Sequence, residues 1–172
     1  EARKYWLKSA NAKTGLTPEY ADYDGKPYDI DGHWTFFSDA YRTVANIGLD
    51  WLWEHEELGQ SQIAVNIQKF FEPYLENDEE IPVFKIDGQP LRKEEQTAEG
   101  FPPLKVHHPI GLWSTLAQAS LVTNDFDSIL SLKYLNYFWN LNLRTGKYRY
   151  YDNLLYFFAL LALSGNYQKD WL

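Results

Sequence analysis

The sequence contains no cysteine among its 172 residues. Disulfide bonds, thiolate nucleophiles and cysteine-ligated zinc are therefore excluded. It also contains no methionine and begins at Glu1, so we expect a processed product, a domain or a fragment. Long apolar runs are missing as well. The longest, residues 154–163, is too short to span a bilayer, and no membrane partner is expected.

Basic residues are scarce relative to acidic ones. Lys and Arg number 16 against 24 for Asp and Glu, which gives a formal charge of −8 and a pI of about 4.9. A nucleic-acid partner is not expected, because phosphate contacts need a basic face. With 45% hydrophobic and 23% charged residues, the composition is that of a globular protein. We treat residues 1–172 as a single domain.

Aromatic residues are abundant, at 17% of the chain. Many must pack in a core, but their number also invites a search for a surface that stacks on flat ligands, sugars above all.

Apolar residues at helical spacing predict an all-α fold of about six helices with long loops. The predicted helices are residues 1–12, 36–56, 61–74, 109–122, 127–140 and 152–163. The last is apolar all round and is expected to be fully buried. Ser38 or Asp39 could cap the helix that starts near Phe36. A small hairpin is expected at residues 83–86, turning at Asp87-Gly88, within the long charged segment 76–106.

Two groups of polar residues invite a metal hypothesis. Asp-Gly pairs recur at residues 22–32, but their spacing is not that of an EF-hand, so turns are the favoured interpretation. His107 and His108 are adjacent and point in different directions, which makes a two-ligand metal site weak. Loop structure is favoured for them, and a single histidine donating to a ligand stays open. No motif demands a cofactor or a metal.

Asp39 and Arg42 form the most informative local pair. They lie three residues apart at a helix start, so an ion pair would keep the carboxylate ionised and oriented. Such a carboxylate is what a general base requires. An N-cap with a surface ion pair explains the same residues. Residues 144–153, where basic and aromatic side chains alternate, fit a sugar subsite or a charge-satisfied helix entry equally well.

Several motifs, in order along nearly the whole chain, resemble glycoside hydrolase family 8, and most closely its reducing-end xylose-releasing exo-oligoxylanase branch. They are residues 14–21 (TGLTPEYA), 24–25 (DG), 36–42 (FFSDAYR), 45–50 (ANIGLD), 108–112 (HPIGL), 138–140 (FWN), 144–146 (RTG), 150–153 (YYDN) and 155–166.

The resemblance implies an (α/α)6 barrel that hydrolyses β-1,4 bonds of xylo-oligosaccharides with inversion. Asp39 would then be the general base that activates water. Arg42 would hold it, and Tyr41 would help to shape the pocket and bind substrate. His108 would contact the reducing-end sugar. Tyr150 and Tyr151 match an aromatic pair near the cleft.

Two departures from the family pattern matter. The glutamate motif that carries the family's general acid has no match here, and about half of the barrel helices are missing. We therefore expect the C-terminal half of a barrel, inactive alone or accompanied by its N-terminal half, with apolar faces exposed. In addition, His107 stands where the exo branch usually has Leu, after a longer loop (97–106). An endo-acting xylanase and a non-catalytic sugar-binding helical module stay open as alternatives.

Overall fold

The structure, a computed structural model, describes residues 1–56, 58–75 and 80–168. The fold is all-α, as predicted. The α-helices are α1 (Ala2–Ser9), α2 (Tyr41–Glu54), α3 (Gln60–Phe71), α4 (Pro109–Gln118), α5 (Ser120–Thr123), α6 (Ser128–Trp139) and α7 (Arg149–Leu163). Short 3₁₀ turns lie at Ser38–Ala40, Glu72–Tyr74 and Lys93–Glu95. No helix in these ranges is both long and apolar enough to cross a bilayer.

The start of α2 differs from the prediction. The chain enters through the 3₁₀ turn Ser38–Ala40, and neither Ser38 nor Asp39 caps a helix with its side chain. Both side chains have other partners: the Ser38 hydroxyl donates to Glu19, and the Asp39 carboxylate pairs with Arg42. The capping prediction for Ser38 or Asp39 is therefore wrong. By contrast, Asp127 caps α6 by accepting from the Leu130 N–H at 3.1 Å.

The main core lies between α2, α3 and α4, with α6 packed on α4. Large apolar side chains fill it, including Ile47, Phe71 and Leu116. Gln68 is fully buried and donates its amide N–H to the Leu116 carbonyl at 2.7 Å and to the Ser120 hydroxyl at 3.0 Å. Burial of this polar side chain is tolerated because its donor is satisfied.

The predicted hairpin is present as a tight turn with isolated bridges. The Gly88 N–H donates to the Lys85 carbonyl at 2.9 Å, and Gly88 has a φ of +90°. Phe84 forms antiparallel bridges to Pro90 and to Phe36, so the turn is attached to the segment that leads into α2. The beginning of the predicted long segment, residues 76–79, lies outside the described residues.

Helix α7 is not fully buried, so that prediction is wrong. Its Leu155 and Ala159 are buried, and the helix packs chiefly against α4. Phe157, on the other side, is 49% exposed, and Phe158 is also exposed. On α6, Ile129 and Leu132 are exposed as well. Within the described chain, α6 and α7 therefore each have an apolar face without packing partners, as expected for part of a helical barrel.

Replacing Gly48 with Ala tests the close packing of α2 against α4. A Cβ at this position would lie 2.6 Å from the Gln118 carbonyl oxygen, so the helices would have to separate. The intrinsic helix preference for Ala, about 1 kcal/mol, acts in the opposite direction. We expect the overpacking to outweigh it and to lower the free energy of unfolding by about 1–3 kcal/mol in urea titrations.

The matched control is Asn46→Ala, an exposed position in the same helix, which should change stability by less than about 0.5 kcal/mol. A Gly48→Ala variant as stable as the original protein would show that the α2–α4 contact is not tight.

Candidate active site

Asp39 and Arg42 form the predicted ion pair at the entry to α2. The Arg42 Nη2 lies 2.9 Å from the Asp39 Oδ1, and the two side chains are 52% and 47% exposed. An ion pair this exposed contributes little to stability. It does place the Asp39 carboxylate beside a guanidinium at a solvent-accessible position.

Asp39 and Arg42 lie in the wall of a cavity of about 640 Å³. Tyr150, Tyr151 and Phe158 of α7 line the same cavity. Its size is within the usual range for small-molecule sites. A carboxylate with an ion-pair partner thus shares a cavity with aromatic side chains that could stack on a sugar.

Glu19 holds the backbone of Asp39 and was missed by the sequence analysis. Its Oε1 accepts hydrogen bonds from the Asp39 N–H at 2.9 Å and from the Ser38 hydroxyl at 3.1 Å. Its Oε2 lies 2.6 Å from the Nδ1 of His33. Glu19 lies in a loop just before the Asp-Gly segment 22–32, and the sequence analysis assigned it no role of its own. Its position in a motif of the family resemblance was the signal that could have found it.

Tyr151 supports the same turn from the other side. Its hydroxyl donates to the Ser38 carbonyl at 2.6 Å. Burial raises the pKa of Tyr151 above its ordinary value, and nearby carboxylates act in the same direction. The hydroxyl therefore stays protonated and able to donate. The neighbouring Tyr150 is 78% exposed at the cavity.

Tyr41 lies beneath the site. Its ring is fully buried against Phe36, with ring centroids 5.1 Å apart, and it is not part of the cavity wall. Its hydroxyl has no hydrogen-bond partner among the described residues. Burial raises the pKa of Tyr41 well above its ordinary value. In this position Tyr41 can pack beneath the residues of the cavity wall, but it has no exposed surface that could contact a sugar.

Asp152 connects three segments around His108. Its fully buried carboxylate accepts from the Gly111 N–H of α4 at 2.7 Å and forms an ion pair with Arg144. The His108 Nδ1 lies 3.6 Å from the Asp152 Oδ2. Burial alone would raise the pKa of Asp152, but interactions with His108, Arg144 and the Gly111 N–H lower it below its ordinary value. Sequence reasoning noted 144–153 as a group without finding this pairing.

The two adjacent histidines face different surroundings. The His108 ring packs on Tyr151, with centroids 4.6 Å apart. The His107 ring stacks on Tyr148 at 5.6 Å and lines a second cavity of about 400 Å³. Burial, together with nearby positive charge, lowers the pKa of His107.

The Asp-Gly segment forms turns, as predicted. The Asp22 Oδ1 accepts from the backbone N–H groups of Asp24 and Lys26, both at 2.9 Å, and Gly25 has a φ of +85°. Among residues 1–56, 58–75 and 80–168, no three or more His, Asp or Glu side chains are grouped so that they could hold a metal ion.

Comparisons with known proteins identify relatives of this chain. No family model matches the chain. The chain is 43% identical, over 98% of its length, to a reducing-end xylose-releasing exo-oligoxylanase of Paenibacillus barcinonensis. It is also 43% identical, over 99% of its length, to that of Halalkalibacterium halodurans. A crystal structure of a reducing-end xylose-releasing exo-oligoxylanase superposes on 96% of the chain with a TM-score of 0.82 and 44% identity.

These matches confirm the resemblance drawn from the sequence. The chain corresponds to part of a glycoside hydrolase with the family 8 fold. Within that class, its similarity is to the reducing-end xylose-releasing exo-oligoxylanases. The chain spans only 41% and 40% of the two curated relatives and 39% of the solved structure, which is consistent with the prediction of a C-terminal half.

Replacing Asp152 with Asn tests the buried ion pair. Removing one partner of such a pair costs about 3–5 kcal/mol. We expect the lower end of that range, because the amide oxygen can still accept from the Gly111 N–H. The pKa of Asp152 is lowered on folding, so its contribution exists above the ordinary value of 3.8 and is lost as the pH falls through the lowered value. The stability difference from the original protein should therefore shrink at acid pH.

The measurement is urea unfolding of both proteins at pH 7 and at a series of pH values below 3.8. Asp24→Asn, at an exposed turn position, is the control and should show little difference at any pH. An Asp152→Asn difference that is constant with pH would contradict the ion-pair account.

Proposed function

We propose that this chain supplies the general-base side of an inverting glycosidase that releases xylose from the reducing end of xylo-oligosaccharides. The observation that carries the proposal is the ion-paired Asp39 carboxylate in a cavity walled by Tyr150 and Tyr151. The similarity of nearly the whole chain to part of the exo-oligoxylanases supports the choice of substrate.

In this mechanism, Asp39 accepts a proton from the water that attacks the anomeric carbon. Arg42 places a positive charge 2.9 Å from the Asp39 carboxylate that is to act as the base. Inversion requires a second carboxyl group, about 6.5–9.5 Å away on the other side of the bond, to protonate the leaving oxygen. Attack and departure then occur on opposite faces of the sugar ring.

The general acid comes from outside this chain. Two carboxyl groups that lie near the site, Glu19 and Asp152, are poorly suited to the task. The Glu19 oxygens accept from Ser38 and Asp39 and contact His33, and the side chain is only 3% exposed. Asp152 is fully buried, and its pKa is lowered, so it does not hold a proton at neutral pH. We propose that the N-terminal half of the barrel supplies the acid and covers the exposed apolar faces of α6 and α7.

Sugar binding is assigned to the aromatic wall and to His108. Tyr150 is the exposed stacking surface. Tyr151 lines the cavity and donates a hydrogen bond to Ser38 in the 3₁₀ turn Ser38–Ala40, which we call the base turn. His108, held beside Tyr151 and Asp152, contacts the reducing-end sugar. Tyr41 acts from beneath the site by packing on the segment that leads into the base turn.

An endo-acting xylanase is the second candidate. It is favoured by His107, which occupies the position where the exo branch usually has Leu. Here the His107 ring stacks on Tyr148 beside the second cavity, which leaves room for a cleft that is open beyond the reducing-end sugar.

Replacing Asp39 with Asn in the complete enzyme should lower kcat by about 10²–10⁴-fold, because the amide cannot accept the proton from water. The variant should stay folded, since the lost ion pair is exposed. The measurement is initial rates on xylohexaose together with the thermal unfolding midpoint.

Asp50→Asn is the matched control. Asp50 also pairs with an arginine, Arg3, through contacts of 2.7 and 2.9 Å, but it is not part of the cavity wall around Asp39. It should retain the original kcat. An Asp39→Asn enzyme with unchanged turnover would remove Asp39 from the mechanism.

The isolated 172-residue chain should not hydrolyse xylohexaose, because the general acid is absent, whereas the chain combined with the rest of its barrel should. Products are separated by chain length over time. Stepwise appearance of xylose supports exo action, and a mixture of short oligomers at early times supports endo action. Binding of the oligosaccharide without turnover in the complete barrel would support the non-catalytic sugar-binding alternative and contradict both enzymatic assignments.

A further inference from the structure

The direction of the Asp39 carboxylate depends on its backbone, because its side chain has little else to fix it. The Asp39 side chain is about half exposed, and its ion-pair partner Arg42 is equally exposed. Exposed pairs of this kind are weak and mobile. The 3₁₀ turn that carries Asp39 has three residues and lacks a side-chain cap. Contacts from outside the turn must therefore hold it in place.

Glu19 provides the contact nearest to the base. One of its oxygens accepts from both the Asp39 N–H and the Ser38 hydroxyl. The loop that carries Glu19 is itself attached to the segment before the turn, since the Glu19 N–H donates to the Thr35 carbonyl at 2.9 Å. The Glu19 carboxylate thus fixes the position of the Asp39 backbone relative to a second, anchored segment.

His33 fixes the second oxygen of Glu19. The His33 Nδ1 lies 2.6 Å from the Glu19 Oε2. The His33 ring is stacked on Tyr20 with centroids 4.4 Å apart, and the Phe101 ring lies 4.7 Å away. This ring cannot turn without disturbing both neighbours. The glutamate is thereby held at both oxygens and is almost fully buried.

We propose that Glu19 is a positioning residue for the base: it holds the Asp39 backbone so that the carboxylate meets the attacking water at the productive angle. This inference rests on the proposed role of Asp39. The proposed role depends on the length of the Glu19 side chain and not on its charge, because the important contact is an oxygen that accepts the Asp39 backbone N–H. Misplacement of a catalytic group by about 1 Å can cost on the order of 100-fold in rate.

Two substitutions separate reach from charge. Glu19→Asp keeps the carboxylate but shortens it by one methylene, so the oxygen no longer reaches the Asp39 N–H. Glu19→Gln keeps the length and an oxygen that can accept from the Asp39 N–H, removes the charge, and places an amide NH2 opposite the His33 Nδ1, which must then accept. In the complete enzyme we expect Glu19→Asp to lower kcat by about 10- to 100-fold, with a much smaller change in KM. Glu19→Gln should retain most of the original kcat.

Glu95→Asp is the control for shortening a glutamate that accepts a backbone N–H; its side chain is 19% exposed, against 3% for Glu19. Glu95 also accepts a backbone N–H, from Arg92 at 2.9 Å, and contacts the Lys85 amine at 3.2 Å, but neither partner lines the Asp39 cavity. It should leave kcat unchanged even where the thermal unfolding midpoint falls. A lower kcat in Glu19→Asp can therefore be distinguished from a simple loss of stability.

The outcomes decide between the assignments. The positioning role is overturned if Glu19→Asp leaves kcat unchanged or lowers it no more than Glu95→Asp does. It is also overturned if Glu19→Asp and Glu19→Gln lower kcat equally. These results are read beside Asp39→Asn. If Asp39→Asn keeps its activity, the proposed function fails; if it is inactive while Glu19→Asp is normal, only the role of Glu19 fails.

Discussion

The close packing of α4 between α2 and α7 is the constraint on which the site depends. Two glycines make it possible. At Gly48 of α2, a side chain would meet the Gln118 carbonyl oxygen at 2.6 Å, and at Gly111 of α4 it would meet Leu155 at 2.9 Å. The Gln118 atom belongs to the backbone, so α2 and α4 can lie this close only because Gly48 has no side chain, whereas the Leu155 atom is the end of a flexible side chain and constrains α7 less. The entries to α2, α4 and α7, which carry Asp39, His108 and Tyr151, are positioned together.

Buried carboxylates complete this arrangement at the helix entries. Asp152 joins the start of α7 to the Gly111 N–H and to Arg144, and Glu19 joins an outlying loop to the turn that carries Asp39. Both accept backbone N–H groups, which locks main chain rather than only side chains. Tyr151 connects the Asp152 contacts to the turn held by Glu19: it precedes Asp152 in the sequence, and its hydroxyl donates to the Ser38 carbonyl in that turn.

The residues around Asp39 and the exposed apolar faces of α6 and α7 both fit a chain that forms only part of a helical barrel. The base turn has an aromatic wall and a well-supported backbone, while the carboxyl groups of Glu19 and Asp152 are committed as acceptors. Phe157 and Phe158 of α7 are exposed in a helix whose composition is that of a buried one. These exposed apolar faces fit a chain that spans about 40% of its curated relatives.

The sequence by itself determined the approximate positions of the helices, the all-α class, the Asp39–Arg42 pair and the family, because periodicity, i to i+3 spacing and local motifs are encoded within short segments. Only the tertiary structure showed the contacts of Glu19 and Asp152, the burial of Tyr41 and the exposure of α7. The contacts that fix them are Glu19 with Asp39, Asp152 with Gly111, and Tyr151 with Ser38, separated by 20, 41 and 113 residues. The partners in each pair lie far apart in the sequence, so only the folded chain shows that they meet.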